Sequence, residues 1–114
     1  MAAISYVDAQ VGLLLDKLEA LGIKDKTVII LWGDHGFHLG DHGLWTKHTN
    51  FEQAVRSPMI IAAPKGFNAN KSATPTEFVD IFPTLCDLTG LKVPKHLPGK
   101  SLVSIMKNPA TSVR

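Results

Sequence analysis

A single cysteine, Cys86, stands among 114 residues, so no intrachain disulfide can form and the fold does not rest on oxidation. No apolar run approaches the length of a bilayer-spanning helix, and no charged-then-apolar stretch reads as a leader. Charge of either sign is scarce in the balance. Lys and Arg number 12 against 10 Asp and Glu, a net +2, which excludes an electrostatic argument for nucleic acid or an anionic membrane as partner. Internal repeats and low-complexity segments are also missing. What is there is globular in composition, 45% hydrophobic and 19% charged, and of the size of one ordinary domain. Residues 1–50 carry four Lys against six acids, and residues 51–114 carry eight Lys and Arg against four acids, an asymmetry that a solvated surface explains. The sequon Asn70-Lys71-Ser72 has meaning only in a secreted eukaryotic protein.

Along the chain, Ile4, Val7, Val11, Leu14, Leu15, Leu18 and Leu21 recur at helical spacing, with Asp16, Lys17 and Glu19 on the other face and Gly22 placed to end the helix. The pattern predicts an amphipathic helix over residues 3–21. It opens abruptly, without a capping residue, a first suggestion of truncation. Thr27–Trp32 is β-branched and apolar on both faces, which predicts a central, doubly covered strand with Trp32 in the core. One helical turn is expected at 50–54 with Asn50 as its cap. Pro58–Ala63 reads as a second buried strand. Residues 65–75 read as loop, and a helix from Glu77 or Asp80 to Thr89 should bury Val79, Phe82, Leu85 and Leu88 and stop at Gly90. Residues 101–107 suit a short final helix. Helix, strand, loop, strand, helix points to an α/β layer architecture, yet two strands make a poor sheet alone.

Between the strands lies the chemistry. Residues 31–50, Leu-Trp-Gly-Asp-His-Gly-Phe-His-Leu-Gly-Asp-His-Gly-Leu-Trp-Thr-Lys-His-Thr-Asn, hold four of the five histidines, two aspartates and four glycines. In open α/β sheets ligands bind beyond the carboxyl ends of strands, and Asp34 and His35 follow directly on one. A carboxylate beside an imidazole can supply two ligands to one divalent cation; oxygen ligands suit Ca²⁺ or Mg²⁺, and imidazole tilts toward Zn²⁺ or Mn²⁺. Two ligands do not complete a site. Taken alone, Asp34-His35-Gly36 is also what a simple turn looks like, with Asp34 capping backbone amides.

The stretch Asp34-His35-Gly36-Phe37-His38-Leu39-Gly40-Asp41-His42-Gly43-Leu44-Trp45-Thr46-Lys47 resembles the sulfatase family of the alkaline-phosphatase-like superfamily, whose members often read D-H-G-x-x-x-G-E/D-H-G-x-W-x-K. The likeness extends to residues 4–22, to Arg56–Pro64, to Val79–Leu91 and to Leu97–Leu102, in the family's order, and is nearest to the iduronate-2-sulfatase-like branch. It implies a partial alkaline-phosphatase-like α/β sheet with flanking helices, and a chain, 1–114, that is one fragment of a sulfatase catalytic domain. It implies Asp34 and His35 as ligands of a divalent metal, usually Ca²⁺, although many members have Asn where His35 stands. Lys47 would contact the sulfate and steady charge on the leaving oxygen, a catalytic and substrate-binding role. Phe37, His38 and His48 are expected to face the substrate pocket. The substrate class implied is a sulfate monoester, a small molecule or a sulfated glycan. Family members are often periplasmic, secreted or lysosomal, which leaves the compartment open.

The family's nucleophile is a formylglycine made within C/S-x-P/A-x-R. Cys86 lacks that context and reads as a small buried hydrophobe. The formylglycine and an Asp-Asp metal pair are therefore expected upstream of residue 1, and this chain alone is expected to be inactive and to self-associate through its exposed apolar face. Three other readings compete. A phosphodiesterase or phosphonate hydrolase of the same superfamily shares the Asp-His corner. A zinc site could use His35, His38, His42 and His48, but Gly36, Gly40 and Gly43 argue against the helix that would align them. A non-catalytic binding or oligomerisation module differs in class. Pro98-Gly99-Lys100-Ser101 ends like a phosphate-binding loop but has Pro94 where the first glycine belongs.

Overall fold

The computed structural model describes residues 2–64 and 66–114. These form helix α1 (Ala2–Ala20), strands β1 (Ile29–Trp32), β2 (His38–Leu39) and β3 (Trp45–Thr46), helix α2 (Glu52–Val55), strand β4 (Met59–Ala62), and helices α3 (Ile81–Thr89) and α4 (Val103–Lys107). They group into two compact units, residues 29–62 and the remainder.

In the larger unit α1 matches the predicted helix. It ends as its glycine requires: Gly22 adopts φ +64°, its N–H reaches the Glu19 carbonyl, and the Ile23 N–H reaches that of Leu18. That pair of bonds satisfies the last carbonyls of the helix in a left-handed stop. No residue of α1 is buried, and Ile4, Val7 and Leu14 are more than half exposed. No described helix is long and apolar enough to cross a membrane.

The core of this unit gathers around α3. Its buried face is Ile81, Thr84 and Cys86, joined by Leu102 and Ile105. The predicted face is corrected here. Val79 and Phe82 are about half exposed, because a 3₁₀ turn at Phe78–Asp80 precedes α3 and rotates the stripe. Cys86 is buried, as its surroundings implied. Asp80 is wholly buried beside it. Its carboxylate accepts the N–H groups of Glu77 and Lys100 and a two-pronged bond from the Arg114 guanidinium, all at 2.8–2.9 Å. Burial alone would push this carboxyl up. Arg114 and the two amides outweigh it and hold its pKa below the usual aspartate range. Asn70, Ser72 and Thr74 donate from their side chains to the carbonyls of Met106, Pro109 and Thr111.

In the smaller unit β1 pairs antiparallel with β4, from Ile29 opposite Ala62 to Trp32 opposite Met59. Among the described residues this sheet has two strands. β1 is therefore not doubly covered, and Trp32 is 45% exposed rather than in a core. Residues 33–58 leave and return at one end of the pair. Gly33 N–H to Pro58 O at 3.1 Å and Ser57 Oγ to Gly33 O at 2.5 Å clip that end shut.

Candidate functional site

Asp34 and His35 emerge from the clipped end of β1, and glycine lets the chain turn there. The Gly36 N–H donates to the Ala54 carbonyl at 2.6 Å, and a Cβ on Gly36 would lie 1.9 Å from the Gln53 carbonyl oxygen. No side chain fits in that gap, so the loop is pressed onto α2 with Ala54 buried beneath it. His35 then bonds through Nδ1 to the Gly36 carbonyl at 2.6 Å. A carbonyl oxygen only accepts, so Nδ1 carries a proton, and in the neutral ring Nε2 presents a bare lone pair. That Nε2 is buried without a hydrogen-bond partner, 3.1 Å from Asp34 Oδ2. A carboxylate oxygen beside an imidazole lone pair is a pair of acceptors with no donor between them. Such a pair fits a cation, and the carbonyl behind Nδ1 fixes the tautomer as metal-bound histidines require. Among the described residues no group of three or more His, Cys, Asp or Glu is placed to hold a metal.

Lys47 reaches the same corner from the far side of the loop, with Nζ 3.6 Å from Asp34 Oδ2. It arrives there by way of a miniature sheet. β2 pairs antiparallel with β3, His38 opposite Thr46 and Leu39 opposite Trp45. The connection between them needs left-handed backbone at Gly40 and Gly43, and also at His42. Thr46 follows at φ +76°, unusual for a β-branched residue and of order 1–3 kcal/mol unfavourable in itself. Lys47 is the next residue, so the reversal at Thr46 sets where its side chain leaves the chain.

Asp34, His35 and Lys47 are thus brought together. Phe37 and His48 are exposed on the same loop. His38 departs from expectation. Its ring is fully buried, with Nδ1 bonded to the Asp41 carboxylate and Nε2 2.6 Å from Thr49 Oγ1, so it braces the loop instead of facing a pocket. The expected cap at Asn50 is replaced in part by Thr49, whose hydroxyl accepts the Phe51 N–H at 3.3 Å. Asp41 turns inward. The Leu39 N–H at 2.9 Å and the bond with His38 lower its pKa. His42 lies on Phe51, with ring centroids 4.8 Å apart. With His38 and His42 engaged in these contacts, the four histidines do not converge on one point. Thr46, Thr49 and Asp41 are the residues sequence reasoning missed as builders of the site; only the glycines around Asp41 and His42 hinted at a compact turn.

The chain matches the sulfatase family model over residues 1–91. It belongs to the sulfatase family. Among related sulfatases, the N-acetylglucosamine-6-O-sulfatase of Bacteroides thetaiotaomicron is 37% identical across 95% of this chain and 20% of its own. Human iduronate 2-sulfatase is 36% identical across 85% of this chain and 22% of its own. The chain therefore spans about one fifth of the length of the curated relatives it matches. Its fold superposes on a solved structure of a protein in complex with its substrate D-glucosamine-2-N,6-O-disulfate, with TM-score 0.88, 36% identity and coverage of 97% of this chain and 22% of that one. The phosphonate monoester hydrolase of Agrobacterium radiobacter follows with TM-score 0.85, 34% identity, 95% of this chain and 22% of that one. The architecture is a sulfatase-type, alkaline-phosphatase-like α/β fold carrying a small part of the sheet.

Proposed function

We propose that this chain supplies the metal-and-cation corner of a site that hydrolyses sulfate monoesters. The observation that carries the reading is the convergence of Asp34, His35 and Lys47, with His35 Nε2 left bare and buried. Asp34 and His35 would hold a divalent cation, Ca²⁺ by the resemblance to the family. When bound there, such an ion would supply positive charge against the anionic sulfate. Lys47 brings a fixed ammonium to the same place. It binds and orients the anionic group and offers its charge to the leaving oxygen. Phe37 and His48, exposed on the loop, are the side chains offered to the body of the substrate. A sulfated sugar is the substrate class favoured by the glucosamine disulfate bound in the structural relative.

The nucleophile of this reading is a formylglycine contributed from outside the chain, since Cys86 is buried in α3. The 114 residues alone should therefore not turn over a sulfate ester, and the exposed apolar face of α1 should drive self-association. A second reading, phosphonate monoester hydrolysis, is favoured by the likeness to hydrolases of that class.

Calcium titration of the ¹⁵N-histidine-labelled chain tests the site. Binding should move the His35 Nε2 resonance, and D34N should abolish that response. Inorganic sulfate and phenylphosphonate, added in turn, should perturb Lys47 to different extents, with the larger response naming the preferred ester class. Turnover of 4-nitrophenyl sulfate by the purified chain would refute the expectation that it is inactive alone.

A further inference from the structure

We propose that His38 and Thr49 are positioning residues that hold Lys47 against Asp34. The role given to Lys47 rests on the reading above; the mechanical role of His38 and Thr49 does not. Lys47 sits in the short span Thr46–Thr49, and His38 grips both ends of it. At the near end, Thr46 pairs with His38 across the two-residue sheet. At the far end, Thr49 Oγ1 lies 2.6 Å from His38 Nε2, and the Thr49 N–H donates to the Lys47 carbonyl at 2.8 Å.

Thr46 within this span is in the left-handed region, at φ +76°. A β-branched residue keeps that conformation only where its surroundings impose it. Free of the far tether, Thr46 would return to negative φ and swing Lys47 away. The tether itself is a matched pair of hydrogen bonds. The Asp41 carboxylate accepts from His38 Nδ1, and Nε2 bonds the Thr49 hydroxyl, a group able to donate or accept. The ring is wholly buried, so water cannot take either place.

The same threonine is also linked, through α2, to the Asp34-His35 turn. Its hydroxyl accepts the N–H of Phe51, the residue that opens α2, and α2 carries the Ala54 carbonyl that pins Gly36 beside His35. One buried imidazole therefore ties the cation-bearing strand and the Asp34-His35 turn to a common support.

The test reads the Lys47–Asp34 contact directly and needs neither activity nor metal. In the chain with ¹³C-labelled lysine, D34N should shift the Lys47 ε-methylene resonance. In T49V, which removes the hydroxyl at nearly constant volume, that resonance should sit at the exposed-lysine position and ignore D34N. In T49S, which restores the hydroxyl, the response should return. H38Q, whose amide reaches Thr49 but not Asp41, should keep most of it. A folded T49V with the full response would overturn the proposal. So would loss of the response in folded T49S, or a wild-type chain in which D34N leaves Lys47 unmoved. If T49V loses its amide dispersion, T49S and H38Q decide on the same terms. Calcium titration of the same samples separates the two ideas. A chain that ignores calcium but keeps the Lys47 response sinks the metal reading alone; the reverse result sinks the positioning role alone.

Discussion

His38 and Asp80 are both sealed from solvent, in different units of this chain, and they do different work. Asp80 belongs to the unit whose buried hydrophobic side chains are Ile81, Cys86, Leu102 and Ile105, and it receives four hydrogen bonds from Glu77, Lys100 and Arg114. His38 stands in a unit where Ala54 is the one buried hydrophobic side chain among the described residues, with the half-exposed Phe51 ring edge-on to it. Its two bonds run to Asp41 and Thr49, both close in sequence. Long-range satisfaction of a buried charge stabilises a fold and is costly to break. Short-range satisfaction of a buried ring fixes the shape of a loop. The contrast separates a residue that keeps the protein folded from one that keeps a functional group aimed.

The strongest test of this contrast is D80N, which removes the charge that Arg114 pairs with. Breaking one side of a buried ion pair costs about 3–5 kcal/mol, and the partial exposure of Arg114 places this case near about 3 kcal/mol. Urea denaturation read at the amides of residues 77–105 should show that loss, and a fall below about 1 kcal/mol would break the comparison. The pH dependence has a definite sign. The folded pKa of Asp80 lies below its unfolded value, so its contribution is complete above the ordinary aspartate range and is lost as pH falls through the depressed folded value. D80N should flatten that acid limb.

A matched pair of glycines sharpens the contrast at intermediate size. A Cβ at Gly36 would meet the Gln53 carbonyl at 1.9 Å, and one at Gly99 would meet the Val79 carbonyl at 1.9 Å. G36A and G99A should each destabilise by about 2 kcal/mol through backbone displacement. G99A should act on stability, since Gly99 precedes the Lys100 amide that bonds Asp80. G36A should in addition abolish the calcium response at His35, and equal calcium responses in the two variants would erase the distinction. The smallest effect belongs to T46G. Relief of the strained φ offsets the entropy of a new glycine, so stability should change by less than about 1 kcal/mol. The Lys47 ε-methylene, by contrast, should lose its response to D34N. A T46G chain that keeps the response would show that conformation at Thr46 does not govern the lysine.

Much of this was legible in the residues. Period 3.6 marked α1, Gly22 and Gly90 marked helix ends, and β-branched runs marked β1 and β4. Asp34, His35 and Lys47 were legible as a set only through resemblance to sulfatases, because nothing in their spacing says that residues 34 and 47 meet. The buried face of α3 was misread because the 3₁₀ turn before it breaks the phase that a helical count assumes. Trp32 was misplaced because apolar sequence reports what a strand can tolerate, whereas exposure depends on how many strands are beside it. His38 was misassigned for a chemical reason. Imidazole serves equally as a ligand, a substrate contact or a buried hydrogen-bond brace, and only the positions of Asp41 and Thr49 choose among them.

The ties from Asn70, Ser72 and Thr74 to the carbonyls of Met106, Pro109 and Thr111 bear on aggregation. The three backbone acceptors there, one at the end of α4 and two in the segment after it, are taken by side chains instead of by a neighbouring strand. A neighbouring strand would bring a second row of unpaired backbone groups and hand the growth edge onward. A hydroxyl or amide at the end of a side chain has no such row. The tie closes this border of the chain to strand addition while leaving it free of any β-ladder, so sticking between copies should begin elsewhere, at the apolar side of α1 or the open edges of β1 and β4.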